Sequence, residues 1–365
     1  IAAVSVYFPI LFLLLAFIIG ISTGTTVLVG QAWGAQNIEK VQSVVGSTLF
    51  MTIIGGIITA IIGVFFAHDI LELLGTDPKV MHLSLPYVQW MLAGSPLLFV
   101  YIIYTSILRG VGDSTTPLLA LALTSVIGLV ITPILLKGYF GLPALGIIAP
   151  AIATITGYVA ILIFLAIYLN KKNHPLRPNR QLLQHIRHNP ELSKIILRLG
   201  VPTGIQMITT SMAGLVIVGL VNHYGSHATA AYGAVNQVLN YIQFPAISIS
   251  IAASIFAAQA IGAGKSDLLA RVTRTALGMN FLFTGALIAL GYLFSKYLMA
   301  LFITDPTVVV LGQQLLFIVL WAILFFGAGA IFASIMRASG TVTVPMLINI
   351  SAILFIDRKS TRLNS

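Results

Sequence analysis

Long apolar runs, broken by short turns rich in Gly, Pro and charge, dominate the chain. They lie near positions 4–32, 44–67, 80–108, 117–136, 144–169, 195–221, 229–260, 273–295 and 307–336, and a tenth begins at Pro345. A hydrocarbon core about 30 Å thick is crossed by roughly 20 residues of helix, whereas barrel strands alternate apolar and polar positions. The runs are continuous, so they predict an all-α polytopic membrane helical bundle with nine full crossings and one stub.

Composition agrees: 58% of residues are hydrophobic and 8% charged, against about 25% charged in soluble proteins. Mean hydropathy is +1.02. The chain has no cysteine, which excludes disulfides, thiolate catalysis and thiolate metal sites. A formal net charge of +10 would point to nucleic acid in a soluble chain. Here the placement of the charges gives another reading. One set of alternate turns holds Lys40, Arg109, Lys171, Lys172, Arg177, Arg180, Arg187, Lys194, Arg198, Lys265, Arg271, Arg274 and Arg337; the other holds only Lys79, Lys137 and Lys296. By the positive-inside rule the first set is cytoplasmic, including the linker 170–194. The basic balance is therefore topological, no nucleic-acid partner is expected, and localisation is the inner (plasma) membrane, multi-pass.

The chain also repeats itself. "ILRGVGDSTTP" at 107–117 overlays "IMRASGTVTVP" at 335–345, pairing Arg109 with Arg337, Gly112 with Gly340 and Pro117 with Pro345, an offset of 337 − 109 = 228. The same offset lays "VGQAWGA" at 29–35 on "AAQAIGA" at 257–263, and "TDP" at 76–78 on "TDP" at 304–306. Six crossings separate partners, an even number, so the copies insert in the same sense as two parallel-repeat lobes. Subtracting the offset from the helix at 195–221 lands before residue 1, and adding it to the helix at 144–169 passes residue 365. This predicts an intact parent of 12 helices, truncated at both ends, with about 10 present here. "LFIDRKSTRLNS" brings Asp357, Arg358, Lys359 and Arg362 into the last helix, each costing about 2.5–3.5 kcal/mol at a helix centre, so 357–365 are expected to be non-native. The expected domains are 1–169, an N-terminal lobe lacking its first helix; 170–194, the basic linker; and 195–356, a C-terminal lobe lacking its last.

"GQAWGAQN" at 30–37, "ILRGVGDSTTP", "GLPALGIIAPAIAT" at 141–154, "LGVPTGIQ" at 199–206 and "QAIGAGK" at 259–265 together resemble the multidrug and toxic compound extrusion (MATE) family. The resemblance covers nearly the whole chain. It implies two six-helix lobes around a central cavity and export of amphipathic, often cationic organic compounds in exchange for H+ or Na+. It also implies a membrane-embedded carboxylate, and here the chain departs from the family. Glu39, Asp69, Glu72, Asp77, Asp113, Glu191, Asp267, Asp305 and Asp357 all lie in loops, near helix ends or in the tail. Thr132 in "LVITPILL" stands where relatives have an aspartate, Gly128 where they have an asparagine, and Thr209, Thr210 and Ser211 where others carry a glutamate. The stretch 317–333 lacks the aspartate of the tenth helix. In some relatives the first helix carries the coupling acid.

Substrate contacts then fall to the remaining polar groups. Asn236, Asn240 and Gln243 recur at i, i+4, i+7 and share one helix face, where the first repeat has Phe8, Phe12 and Leu15. An amide row facing lipid is penalised, so it either lines a wet cavity or hydrogen-bonds to a neighbouring helix. Gln206, Thr209 and Thr210 follow "GVPTG" and are further candidates, with Asn349 in reserve. Gln89, Trp90, Tyr101, Tyr104, Gln314 and Trp321 read as core or interfacial anchors. Arg109 and Arg337 read as caps of negative helix ends, and Asp77 and Asp305 before proline as helix starts.

His174, His185, His188, His223 and His227 lack the company a metal site needs, and no phosphate loop is present. The expected function is a secondary active multidrug exporter working by alternating access, a monomer in the lipid bilayer, without enzyme activity, cofactor or metal. The alternative is a lipid or lipid-linked oligosaccharide flippase of the same superfamily; a polytopic membrane enzyme is the alternative from another class.

Overall fold

A backbone inside hydrocarbon finds no water to bond, so each apolar run must satisfy its own N–H and C=O groups as a helix. The computed structural model describes residues 2–141 and 143–352. Its principal helices are α1 (Tyr7–Gly34), α2 (Ile38–Phe65), α3 (Pro78–Ala93), α4 (Ser95–Gly110), α5 (Thr115–Lys137), α6 (Ala149–Lys171), α7 (Pro190–Asn222), α8 (Ser226–Gly262), α9 (Leu268–Leu293), α10 (Pro306–Ala338) and α11 (Thr343–Ala352). Short helices cover Ala67–Leu73, Arg180–His185 and Ser295–Ala300, and no strand occurs among the described residues. Eight of these helices are long and apolar enough to cross a membrane, and α3 with α4, bent by 45° at one break, makes a ninth. The expected crossings are all present, and α11 begins the expected stub. The tail expected to be non-native, 357–365, lies outside the described residues.

The break between α3 and α4 has a local cause. Pro96 falls in the first turn of α4, where its missing N–H costs nothing. A Cβ on Gly94 would come within 2.6 Å of the Ile155 side chain on α6, so any larger residue would force that side chain to shift. Elsewhere Pro133, Pro202 and Pro245 sit inside helices that continue through them.

The repeat is visible in local geometry. Asp77 and Asp305 each accept a hydrogen bond at 2.8 Å from the backbone N–H two residues on, starting α3 and α10. Arg109 donates to Ser106 at 2.7 Å and Arg337 to Ser334 at 2.9 Å. Left-handed residues end the matching helices, Gln36 (φ 57°) and Gly264 (φ 70°) in one pair of turns and Gly112 (φ 93°) and Gly340 (φ 88°) in the other.

The chain divides into two compact units, Ile1–Gly204 and Ile205–Ser365. This differs from the lobe boundaries expected from the repeat, because the linker and the first half of α7 pack with the first unit. Leu176 and Leu182, two apolar residues of a mostly polar stretch, are buried, and the Tyr104 hydroxyl donates to the Leu176 carbonyl at 2.5 Å. Gly46 leaves room for the His185 backbone. On α7, a Cβ at Gly200 would lie 2.7 Å from the Gly20 carbonyl oxygen, and one at Gly24 would lie 2.7 Å from that of Ile196. Glycine on both sides lets two backbones touch, the packing mode favoured where lipid supplies no hydrophobic drive.

Within the first unit α1, α2 and α4 pack around Ile18, Val44, Phe99 and Ile103, while α5 pairs with α6. In the second, α8 packs against α10 through Val238, Leu239, Leu316 and Leu320, with α9 beside them. The turn before α5 is held by Asp113, which accepts from the Thr116 amide at 3.0 Å and the Thr116 hydroxyl at 2.5 Å. Burial pushes this carboxyl up, but the Thr116 hydrogen bonds and nearby His174 outweigh it and hold it below the ordinary carboxylate range.

Replacing Gly200 by Ala should destabilise the protein by about 1–3 kcal/mol through overpacking. Gly128→Ala, where a Cβ meets nothing within 4 Å, should be neutral or stabilising by up to about 1 kcal/mol. Thermal unfolding of the two purified variants checks the contrast. A depressed folded-state pKa stabilises above the ordinary carboxylate range, and that contribution is lost as pH falls through the folded value. Asp113→Asn should therefore flatten the acid side of the Tm-against-pH curve, measured from about pH 7 to pH 3.

Candidate functional site

The candidate amides lie on α8 along the border of its packed face. Ala234, Val235, Val238, Leu239 and Ile242 turn into the core against α10. One strip round the helix, Asn236 and Gln243 are half-buried and Asn240 is exposed. None of the three side chains makes a hydrogen bond among the described residues, so the interhelical-bonding reading is not the arrangement found. Tyr241 and Phe244 are exposed beside them, 59% and 58% accessible, with ring centroids 6.2 Å apart at an interplanar angle of 70°. Three unengaged amides next to exposed aromatic area can hydrogen-bond a polar group and cover an apolar one at once.

On α7, Gln206 and Thr209 are half-buried and Thr210 is exposed. The threonine hydroxyls donate to the carbonyls of Ile205 and Gln206, each at 2.9 Å, which satisfies their protons within the helix. Thr210 Oγ1 also lies 3.4 Å from the side-chain oxygen of Asn349 on α11. Thr210 and Asn349 thus meet, whereas no hydrogen bond joins the α7 group to Asn236, Asn240 or Gln243 among the described residues.

Every described acid sits at a helix end or in a turn: Glu39 and Glu191 in first turns, Asp77, Asp267 and Asp305 at helix starts, Asp113 in the turn before α5, Asp69 and Glu72 on the short helix Ala67–Leu73. Thr132 is half-buried on α5 beside Pro133. The polar groups that are fully enclosed mid-span are uncharged. Asn280 on α9 is 0% exposed; its Oδ1 accepts from Thr284 at 3.1 Å and its Nδ2 donates to the Leu324 carbonyl on α10 at 3.4 Å. Gly327 makes the space, since a Cβ there would overlap the amide. In the first unit Ser22 donates to Ser106 at 2.6 Å, and Thr25 Oγ1 lies 3.3 Å from Thr48 Oγ1.

Sequence pattern does not single out these enclosed residues. For Asn280 the available signal is a lone amide four residues before Thr284 in an apolar run. For the hydroxyls there is none, because Ser and Thr satisfy themselves within helices anywhere.

Structural and binding amides should separate on mutation. Asn280→Ala leaves Thr284 without its acceptor and opens a cavity, and should cost about 2–3 kcal/mol. Asn240→Ala should stay within about 0.5 kcal/mol of the parent. Thermal unfolding in one detergent measures both.

The MatE family model matches residues 1–134 and 202–356. The probable multidrug resistance protein YoeA of Bacillus subtilis is 45% identical over 357 residues, spanning 98% of this chain and 77% of that protein. The probable multidrug resistance protein YpnP of the same organism is 29% identical over 352 residues, 95% of this chain and 76% of that one. Among solved structures, the outward-facing conformation of a multidrug resistance MATE family transporter of the MOP superfamily matches with a TM-score of 0.87 at 21% identity, over 96% of this chain and 77% of that one.

Proposed function

Because the chain belongs to the MatE family, we propose that it is a secondary active exporter of amphipathic or cationic organic compounds, moving them by alternating access in exchange for H+ or Na+. The observation that carries the reading is the row Asn236, Asn240 and Gln243, unengaged by protein and bordered by exposed Tyr241 and Phe244. Such a surface suits ligands that share an apolar, aromatic body and a small polar group without sharing a shape. The multidrug resistance names of the two Bacillus relatives agree with it.

In this proposal Gln206, Thr209 and Thr210 contribute further contacts, their oxygens retaining lone pairs after the intrahelical bonds are made. With neutral groups at these positions, attraction to a cation comes from amide and hydroxyl dipoles and from aromatic faces. The arginine-poor turns holding Lys79, Lys137 and Lys296 face outward, and the linker 170–194 faces the cytoplasm of a cell whose plasma membrane holds the chain. The transporter acts as a monomer, and Thr132, standing where relatives have an aspartate, offers no titratable group.

Ethidium binding to the detergent-purified protein, followed by fluorescence, tests the site. Asn236→Ala/Asn240→Ala/Gln243→Ala should weaken the Kd roughly 3- to 10-fold with Tm unchanged, and an unaltered Kd would remove these residues from it. Antiport requires ion and substrate to oppose each other's binding. The Kd should therefore weaken either on acidification or on addition of Na+; a Kd indifferent to both refutes exchange.

A further inference from the structure

Arg109 and Arg337 occupy matching places one repeat apart, at the last turns of α4 and α10. Both are half-buried. Each donates one hydrogen bond, to the serine three residues before it, Ser106 at 2.7 Å and Ser334 at 2.9 Å. A guanidinium has five N–H donors and keeps its charge at any working pH. Among the described residues neither arginine pairs with a carboxylate. The acid closest in sequence, Asp113, is engaged by Thr116, and its counterpart in the second unit is the uncharged Thr341.

The negative end of a helix explains why a cation stands there. It does not explain why the cation is half-buried and held at a fixed angle, since an exposed lysine would serve the dipole equally well. Ser106 fixes the orientation firmly: its hydroxyl donates to the Ile102 carbonyl at 2.8 Å and also accepts from Ser22 at 2.6 Å. The remaining donors of each guanidinium form a fork that matches two oxygens of an anion. Both guanidiniums stand in the last turns of runs apolar enough to cross a membrane, the end of a span at which phosphodiesters of lipid headgroups would be the abundant anions.

We propose that Arg109 and Arg337 each bind the phosphate of an anionic membrane phospholipid, one molecule on each unit. The net negative charge favours phosphatidylglycerol over phosphatidylcholine, whose own choline competes for the phosphate. Each lipid anchors the helix whose last turn holds its arginine, independently of the substrate that the protein carries.

Native mass spectrometry of the purified protein titrated with phosphatidylglycerol tests this. The parent should retain two tightly held lipids, Arg109→Gln or Arg337→Gln one, and the double variant neither, with affinity at the lost site falling at least about tenfold. Arg180→Gln, at an exposed linker position, should retain both. Wild-type stoichiometry and affinity in the double variant would overturn the proposal, as would equal retention of phosphatidylcholine. Displacement of the lipids by inorganic phosphate at matching concentration would assign the forks to free anions and overturn the lipid assignment. Should the glutamine variants fail to purify, Arg109→Lys/Arg337→Lys keeps the charge and loses the fork; its affinity should drop, and unchanged binding counts against the site.

Discussion

Inside a bilayer a polar atom has no solvent to fall back on, and the architecture of this protein follows from that scarcity. It makes the backbone helical and expels the described acids to turns and helix starts. It also sorts the remaining polar side chains into those that protein satisfies and those that it leaves open. Asn280 belongs to the first kind, wedged against Gly327 with both ends of its amide engaged. Asn236, Asn240 and Gln243 belong to the second, and it is as unmet hydrogen-bonding capacity beside aromatic surface that they become a candidate for recognising small molecules.

The duplicated scaffold shows how one helical arrangement carries two interiors. Gly63 against Leu92 in the first unit becomes Gly291 against Leu320 in the second, where a Cβ on the glycine would lie 3.1 and 3.3 Å from the leucine δ-carbon. Helix starts, serine–arginine pairs and left-handed turns recur with the same fidelity. Between these fixed points the volumes are traded: Thr52 and Phe99 in one unit correspond to Asn280 and Gly327 in the other, small with large exchanged for large with small. The hydroxyls Thr25 and Thr48 correspond to Ala253 and Ala276. Backbone close-packing and capping are thus common to both repeats, while polarity within the spans is particular to each, as expected if substrate and lipid contacts are grafted onto a shared frame.

The two arginines are the point where frame and function meet. Their serine partners and the following left-handed glycines are repeated features, which places an arginine at the equivalent helix end in each unit. If each binds a lipid phosphate as proposed, each unit carries its own attachment to the headgroups.

Much of this was legible in the chain. Crossing number, helix starts at Asp77 and Asp305, the repeat, and the exclusion of acids from the spans follow from hydrophobic periodicity and cap chemistry, which act over a few residues and leave local signatures. The family was legible as well, from motifs spread along the chain. Tertiary structure alone decided where the compact units divide, because that depends on Gly20 and Gly200, 180 positions apart (200 − 20), finding each other. It alone decided that Asn280 is locked while Asn240 is free, and that Leu176 and Leu182 pin the linker. A side chain's type is written in its codon, but whether its hydrogen bonds are met depends on which helix lies opposite, and no local pattern records the neighbour.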